Sequence, residues 1–197
     1  VILISAGLVV YFLGGANLRY IGLIVLLGIV ALAVLVYMTP YRLERITGFL
    51  NPDKDPLNAN YHLNQALIAI GSGGLWGSGY GQSVAKVKYL PTPIDDSIFA
   101  VIADELGFVG GAILILLFAI LTVRLFWLAR NMRDRFGKLI LIGFGTIIAF
   151  QSLVNMGAIT GLAPLTGVPL PFISYGGTEL AVFLTMSGIA ANISKYT

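Results

Sequence analysis

Long runs of uncharged apolar residues, interrupted by short polar, glycine or proline punctuation, set the pattern of this chain. Residues 1–16 are apolar but short of the roughly 20 residues that cross a bilayer. They carry no charged leader and no initiator methionine, so the expectation is a sequence that begins inside a transmembrane helix, a fragment. After a turn at Asn17-Leu18-Arg19, Tyr20 to Met38 predicts a full span. Thr39-Pro40 stops it, because proline disfavours helix in the residue before it. The polar segment 41–60 carries turn signals at Asn51-Pro52-Asp53 and Asp55-Pro56. A third apolar helix from Tyr61 to about Ile70 dissolves into glycines and is short for a span, either a partial helix or one completed by the glycine-rich part. Further spans are predicted over 106–123, 139–160 and, more briefly, 177–193. The fold class is therefore all-α, a polytopic transmembrane bundle of about five to six spans forming a single integral-membrane domain over 1–197.

Composition agrees with that pattern. Hydrophobic residues make up 57% of the chain, charged residues 11%, and the mean hydropathy is +0.90, whereas soluble domains are about a quarter charged. With no cysteine, disulfides and thiolate metal sites are excluded, and the single histidine, His62, excludes a multi-histidine centre. A net charge of +3 is too small to argue for nucleic acid. Sidedness is more informative. If successive spans alternate, one side collects Arg42, Arg45, Lys54, Arg124, Arg130, Arg133, Arg135, Lys138 and Lys195, and the other only Arg19, Lys86 and Lys88. That nine-to-three split assigns the first side to the cytoplasm. It turns the stretches 71–107 and 161–178 outward together. The run from Arg130 to Lys138 then serves as a topology anchor, with some anionic-lipid contact.

The stretch 71–107 carries the candidate chemistry. Asp95 and Asp96 precede an apolar helix over 98–106, where either could be an N-cap or a catalytic carboxylate. Asp104 and Glu105 lie where that helix enters the membrane, and carboxylates at such depth have a partner or a function. Lys86 and Lys88 are either interfacial lysines or phosphate holders. The glycines at 71, 73, 74, 77, 79 and 81 lack the strand and βαβ context of a nucleotide loop, so close packing against a neighbouring helix is expected instead. His62 reads as a polar residue at a helix start.

These residues resemble a known family. Tyr41-Arg42-Leu43-Glu44-Arg45, Phe49-Leu50-Asn51-Pro52, the run IAIGSGGLWGSGYGQSVAKVKYLP and the run DSIFAVIADELG are similar to the SEDS proteins (shape, elongation, division, sporulation). The likeness is closer to their FtsW division branch than to the RodA sister. Residues 155–178, NMGAITGLAPLTGVPLPFISYGGT, resemble the family signature almost position by position. The resemblance implies a ten-helix fold, of which this chain would supply the end of the fifth helix through the tenth. It further implies a multi-pass protein of the bacterial cytoplasmic membrane, at the division septum, that polymerises lipid II into a growing glycan strand on the outer face. The implied partners are a class B penicillin-binding protein (a transpeptidase), other divisome proteins and membrane lipids, with no nucleic acid. Carried across, the essential acid falls on Asp96. Gln82, Ser83 and Lys86 fall in a Gly-x-Ser-x-x-Lys stretch, and Lys88, Glu105 and Ser174 join them as substrate contacts. No cofactor is required, although a divalent cation (Mg or Mn) could assist, its ligands unknown. Asp95, Thr92, Ile94 and Glu179 depart from the family pattern. A flippase would instead predict midplane charges, and residues 139–178 contain no charged residue. A divisome scaffold would need neither Lys86 nor Asp96 on one face.

Overall fold

The computed structural model describes residues 2–39, 49, 61–83 and 96–196. Among them six α-helices follow in order, without a strand: α1 (Ile2–Leu13), α2 (Leu18–Met38), α3 (Tyr61–Ser72), α4 (Ile98–Asn131), α5 (Arg135–Ile159) and α6 (Gly177–Ile193). A short 3-10 turn, Ser194–Tyr196, ends the described chain. Three helices, α2, α4 and α5, are long and apolar enough to cross a membrane, and α1 and α6 are shorter apolar helices. The all-helical membrane bundle expected from the hydropathy pattern is therefore the architecture.

The centre is the α4–α5 pair. Glycine lets the two helices close up: a Cβ on Gly145 would stand 3.2 Å from the Phe126 ring. Leu141, Ile148 and Ile159 of α5 and Leu170 of the following loop are fully buried in the core. Asp134 starts α5 as a capping residue, its carboxylate accepting the Gly137 N–H at 2.7 Å. Packed on α5 is α1, with Val10 3.3 Å from the position a Cβ on Gly143 would take. None of the apolar stretch of α2 is buried within the chain, and that surface suits lipid or further protein.

One contact corrects the alternating topology. Arg135, at the start of α5, donates to the carbonyl of Gly14 at 2.9 Å. The end of α1, and with it Arg19 in the first turn of α2, therefore lies at the Arg135 end of the bundle, not opposite it. Nor is α3 a crossing between two sides. It is 12 residues long, and its start meets Ser97 while its end meets Asp104. Both contacts belong to the first part of α4. At the other end of the molecule, Ile193 comes within 3.4 Å of a Cβ built on Gly137. All seven described basic residues, Arg19, Arg124, Arg130, Arg133, Arg135, Lys138 and Lys195, thus lie at or within two turns of one end. Arg42, Arg45, Lys54, Lys86 and Lys88 lie outside the described residues.

What runs as one element from Ile98 to Asn131 is two helices joined at Gly107 (φ 69°, ψ −168°). In a straight helix Phe99 and Gly111 would be about 18 Å apart along the axis. Here the Phe99 ring lies 3.8 Å from where a Cβ on Gly111 would be, so residues 98–106 fold back beside the start of the helix that follows Gly107. Such a break orphans backbone groups on both sides. The glycine-rich segment supplies their partners. Ser78 and Gly79 donate to the carbonyls of Asp104 and Glu105 at 2.9 and 3.1 Å, and Phe108 and Val109 donate to the carbonyls of Gly74 and Leu75 at 2.9 and 3.2 Å. The approach excludes side chains: a Cβ on Gly73 would lie 2.1 Å from the Ala103 carbonyl oxygen. Close packing, the expectation for the glycines from 71 to 81, holds at Gly73 and Gly77; Gly71, Gly74 and Gly81 have open space where a Cβ would be, and Gly79 faces only the Gln82 side chain.

Candidate functional site

Ser97, not Asp96, occupies the N-cap of α4, and its side chain makes no capping bond. Its hydroxyl instead shares a hydrogen bond of 2.5 Å with Nε2 of His62 on α3. Asp96 stands one residue earlier, half-buried. On its other side is Asn155 of α5, which is 2% exposed and uses both amide protons. Nδ2 donates to the Asp96 carbonyl at 2.8 Å and to the Val168 carbonyl at 2.7 Å. Gly167, held at φ 64°, leaves only 3.7 Å between a notional Cβ and Oδ2 of Asp96. The two stretches singled out in the sequence, 71–107 and 161–178, therefore meet at Asp96.

The second stretch does not simply turn at the membrane surface. Gln151 lies eight residues before the end of α5, about 12 Å along the axis at 1.5 Å per residue. Its Nε2 donates to the Pro169 carbonyl at 3.1 Å and to Glu179 in the first turn of α6. After Thr160 the loop thus folds back down α5, and α6 begins recessed, which accounts for its 17 residues. Irregular backbone at such depth needs protein partners for its polar groups, and Asn155 and Gln151 provide them. Ser174 closes the turn by accepting the Leu170 N–H at 2.7 Å. Phe172 adopts φ 66°, rare for a side-chain-bearing residue, and its ring packs on Phe183 at a centroid distance of 5.2 Å.

The remaining sequence-derived candidates scatter around this centre. Gln82 is exposed and Ser83 buried, where the glycine-rich segment ends. Glu105 is buried at the Gly107 kink, and its Oε1 has no hydrogen-bond partner. It stands nine residues beyond Asp96 on the folded-back helix, about 14 Å along the axis. Its neighbour Asp104 accepts from Ser72 at 2.7 Å. Lys86, Lys88, Asp95, Thr92 and Ile94 lie outside the described residues. Among the described residues no group of three or more His, Asp or Glu side chains gathers as a metal site. Sequence reasoning passed over Asn155, Gln151, Gly167 and the His62–Ser97 pair. A signal did exist for the first two, polar amides spaced four apart in an otherwise apolar span.

A family model described as cell cycle protein, FTSW_RODA_SPOVE, matches residues 1–197. The chain belongs to the FtsW/RodA/SpoVE family. It is 41% identical over 196 residues to stage V sporulation protein E of Bacillus subtilis (strain 168), covering 100% of this chain and 54% of that protein. It is 40% identical over 200 residues to a protein of Thioalkalivibrio sulfidiphilus named "Probable peptidoglycan glycosyltransferase FtsW", covering 100% of this chain and 50% of that one. Among solved structures it resembles a chain from work described as "Structural coordination of polymerization and crosslinking by a peptidoglycan synthase complex". There the TM-score is 0.73 at 31% identity, over 98% of this chain and 54% of the other. The FtsW/RodA/SpoVE chain spans about half the length of the relatives it matches.

Proposed function

We propose that this FtsW/RodA/SpoVE chain forms part of a peptidoglycan glycosyltransferase that polymerises lipid II at the outer face of the cytoplasmic membrane during cell division, with Asp96 as general base. The observation that carries the reading is the seat of Asp96. It is a half-buried carboxylate where two irregular segments meet, fixed through Asn155 to the signature loop. Sidedness supports the orientation, because the seven described basic residues cluster at the opposite end, the cytoplasmic one by the positive-inside rule. The relatives named for peptidoglycan glycosyl transfer support the reaction class.

In the reaction, Asp96 takes the proton from the C4 hydroxyl of the acceptor N-acetylglucosamine as that oxygen attacks the donor sugar's anomeric carbon. The bond to the lipid diphosphate breaks with inversion. Lys86, and with it Lys88, offsets the charge on the departing diphosphate. The recessed N-termini of α4 and α6 add positive potential from their helix dipoles. A divalent cation could share that work. Gln82, Ser83, Glu105 and Ser174 are assigned to substrate contact and to the walls around it. A transpeptidase of the class B penicillin-binding type is the proposed partner, in keeping with the crosslinking complex from which the solved relative comes.

The test is Asp96→Asn in the full-length protein with purified lipid II. Polymerisation should fall roughly 10²-fold or more, the scale for losing a general base, with expression and partner binding intact. Asp95→Asn should cost far less. Retained polymerisation by Asp96→Asn would sink the assignment.

A further inference from the structure

We infer that His62 is a positioning residue for Asp96, acting through the hydroxyl of Ser97. The inference rests on the reading of Asp96 as the base. Serine at an N-cap ordinarily turns its oxygen toward an N–H of its own first helical turn. Ser97 does not. Its side chain is fully buried and points sideways to α3, where Nε2 of His62 meets Oγ at 2.5 Å across 35 residues of sequence. A histidine that merely began a helix at the interface would have no need of a buried hydroxyl so far along the chain.

The consequence falls on the residue between two clamps. Asn155 holds the carbonyl of Asp96 from α5, and His62 holds the side chain of the next residue from α3. Successive residues gripped from two different helices, one by its carbonyl and the next by its side chain, leave the Asp96 backbone little freedom, which fixes the point from which its carboxylate is presented. The anchor is itself fixed. Ala66 and Ala69 of α3 are buried, and Ser72 at its end bonds to Asp104 on the folded-back part of α4. Thus α3 and residues 97–106 are tied at both ends. Losing the His62 contact would let the start of α4 seek its ordinary cap, with the Ser97 oxygen swinging inward and Asp96 turning with it.

The experiment uses the full-length protein and purified lipid II, with kcat and KM measured for His62→Leu, His62→Gln, Ser97→Ala and the His62→Leu/Ser97→Ala pair. Each is made in the wild-type and the Asp96→Asn backgrounds. His62→Leu and Ser97→Ala should each lower kcat about tenfold with little change in KM, as expected of a misplaced catalytic group. The pair should be no worse than the worse single, because both remove one contact. His62→Gln, which keeps a side-chain hydrogen-bonding group, should recover most of the rate. In the Asp96→Asn background the His62 and Ser97 changes should have no further effect. If His62→Leu does not accumulate, Ser97→Ala and His62→Gln carry the test. Full kcat in Ser97→Ala or His62→Leu, additive losses in the pair, or a further fall in the Asn background would overturn the inference while leaving the base assignment standing. Full activity of Asp96→Asn would overturn both.

Discussion

A Cβ placed on Gly107 would stand 2.4 Å from the amide nitrogen of Gly77, and one on Gly77 would stand 2.1 Å from the carbonyl oxygen of Glu105. Each glycine is the space the other's backbone occupies, and both have positive φ, at 69° and 84°. Gly107→Ala and Gly77→Ala should each destabilise the protein by about 2 kcal/mol or more, from left-handed strain and backbone overlap together. Gly22→Ala, on α2 with open space around it, should leave stability unchanged or slightly raised by helix propensity. Thermal unfolding in detergent checks all three, and equal midpoints would refute the interlock.

Asn155 offers a sharper contrast. Replacing it with alanine leaves the Asp96 and Val168 carbonyls without that donor, a cost of roughly 1–3 kcal/mol for each buried group left unsatisfied. Asn155→Asp keeps the shape but turns a lone pair or a charge toward two carbonyl oxygens, so it should be worse than alanine in both stability and lipid II polymerisation. Aspartate equal to wild type would mean that the two bonds do not hold the site.

Removal of the Glu179 side chain should be mild. Gln151 bonds both Glu179 and the Pro169 carbonyl, and the second bond survives Glu179→Ser. Polymerisation should stay within about twofold of wild type, since Ser remains a competent residue at a helix start. Gln151→Ala should cost more, because the re-entrant loop then loses its deepest support. A collapse with Glu179→Ser at normal protein levels would make Glu179 a substrate residue.

The corrected topology has its own check. A cysteine at Thr92 should react with a membrane-impermeant thiol reagent from outside, and one at Asn131 should not. A cysteine at Asn17 discriminates further. Simple alternation of spans would expose it outside, whereas the Arg135–Gly14 contact places it at the Arg135 end, which the positive-inside rule assigns to the protected side. Labelling of Asn17→Cys from outside would reverse that placement.

The helices were legible because hydropathy reports them directly. The last helix begins and ends at Gly177 and Ile193, where the pattern put it, and the helix at Ile98 begins where Asp96-Ser97 announced it. Sidedness was misread at α1 and α3, because alternation counts any apolar run as a crossing while a helix such as α3 can lie against one end. The re-entry of residues 161–176 was illegible for a related reason. A Pro- and Gly-rich uncharged stretch has the same composition at the surface as at depth, and only Gln151 and Asn155, amides on an apolar helix, marked where its carbonyls would be received. The kink at Gly107 was hidden because glycine is equally compatible with a straight membrane helix and a left-handed break. The partner that decides between them, Gly77, lies thirty residues away.

Gln151 and Asn155 are four residues apart, so they stand one above the other on a single face of α5. From that face Asn155 reaches Asp96, 59 positions away in sequence, and both amides reach the loop that follows the helix. That face of α5 is therefore the common datum from which both halves of the site are measured. On the opposite side of the helix the side chains, such as Leu153 at 67% exposure, make no part of this register. The length of the helix does. One residue inserted between Lys138 and Gln151 would turn the datum by about 100°, removing Asp96 and the loop from register in a single step without altering any residue that touches them.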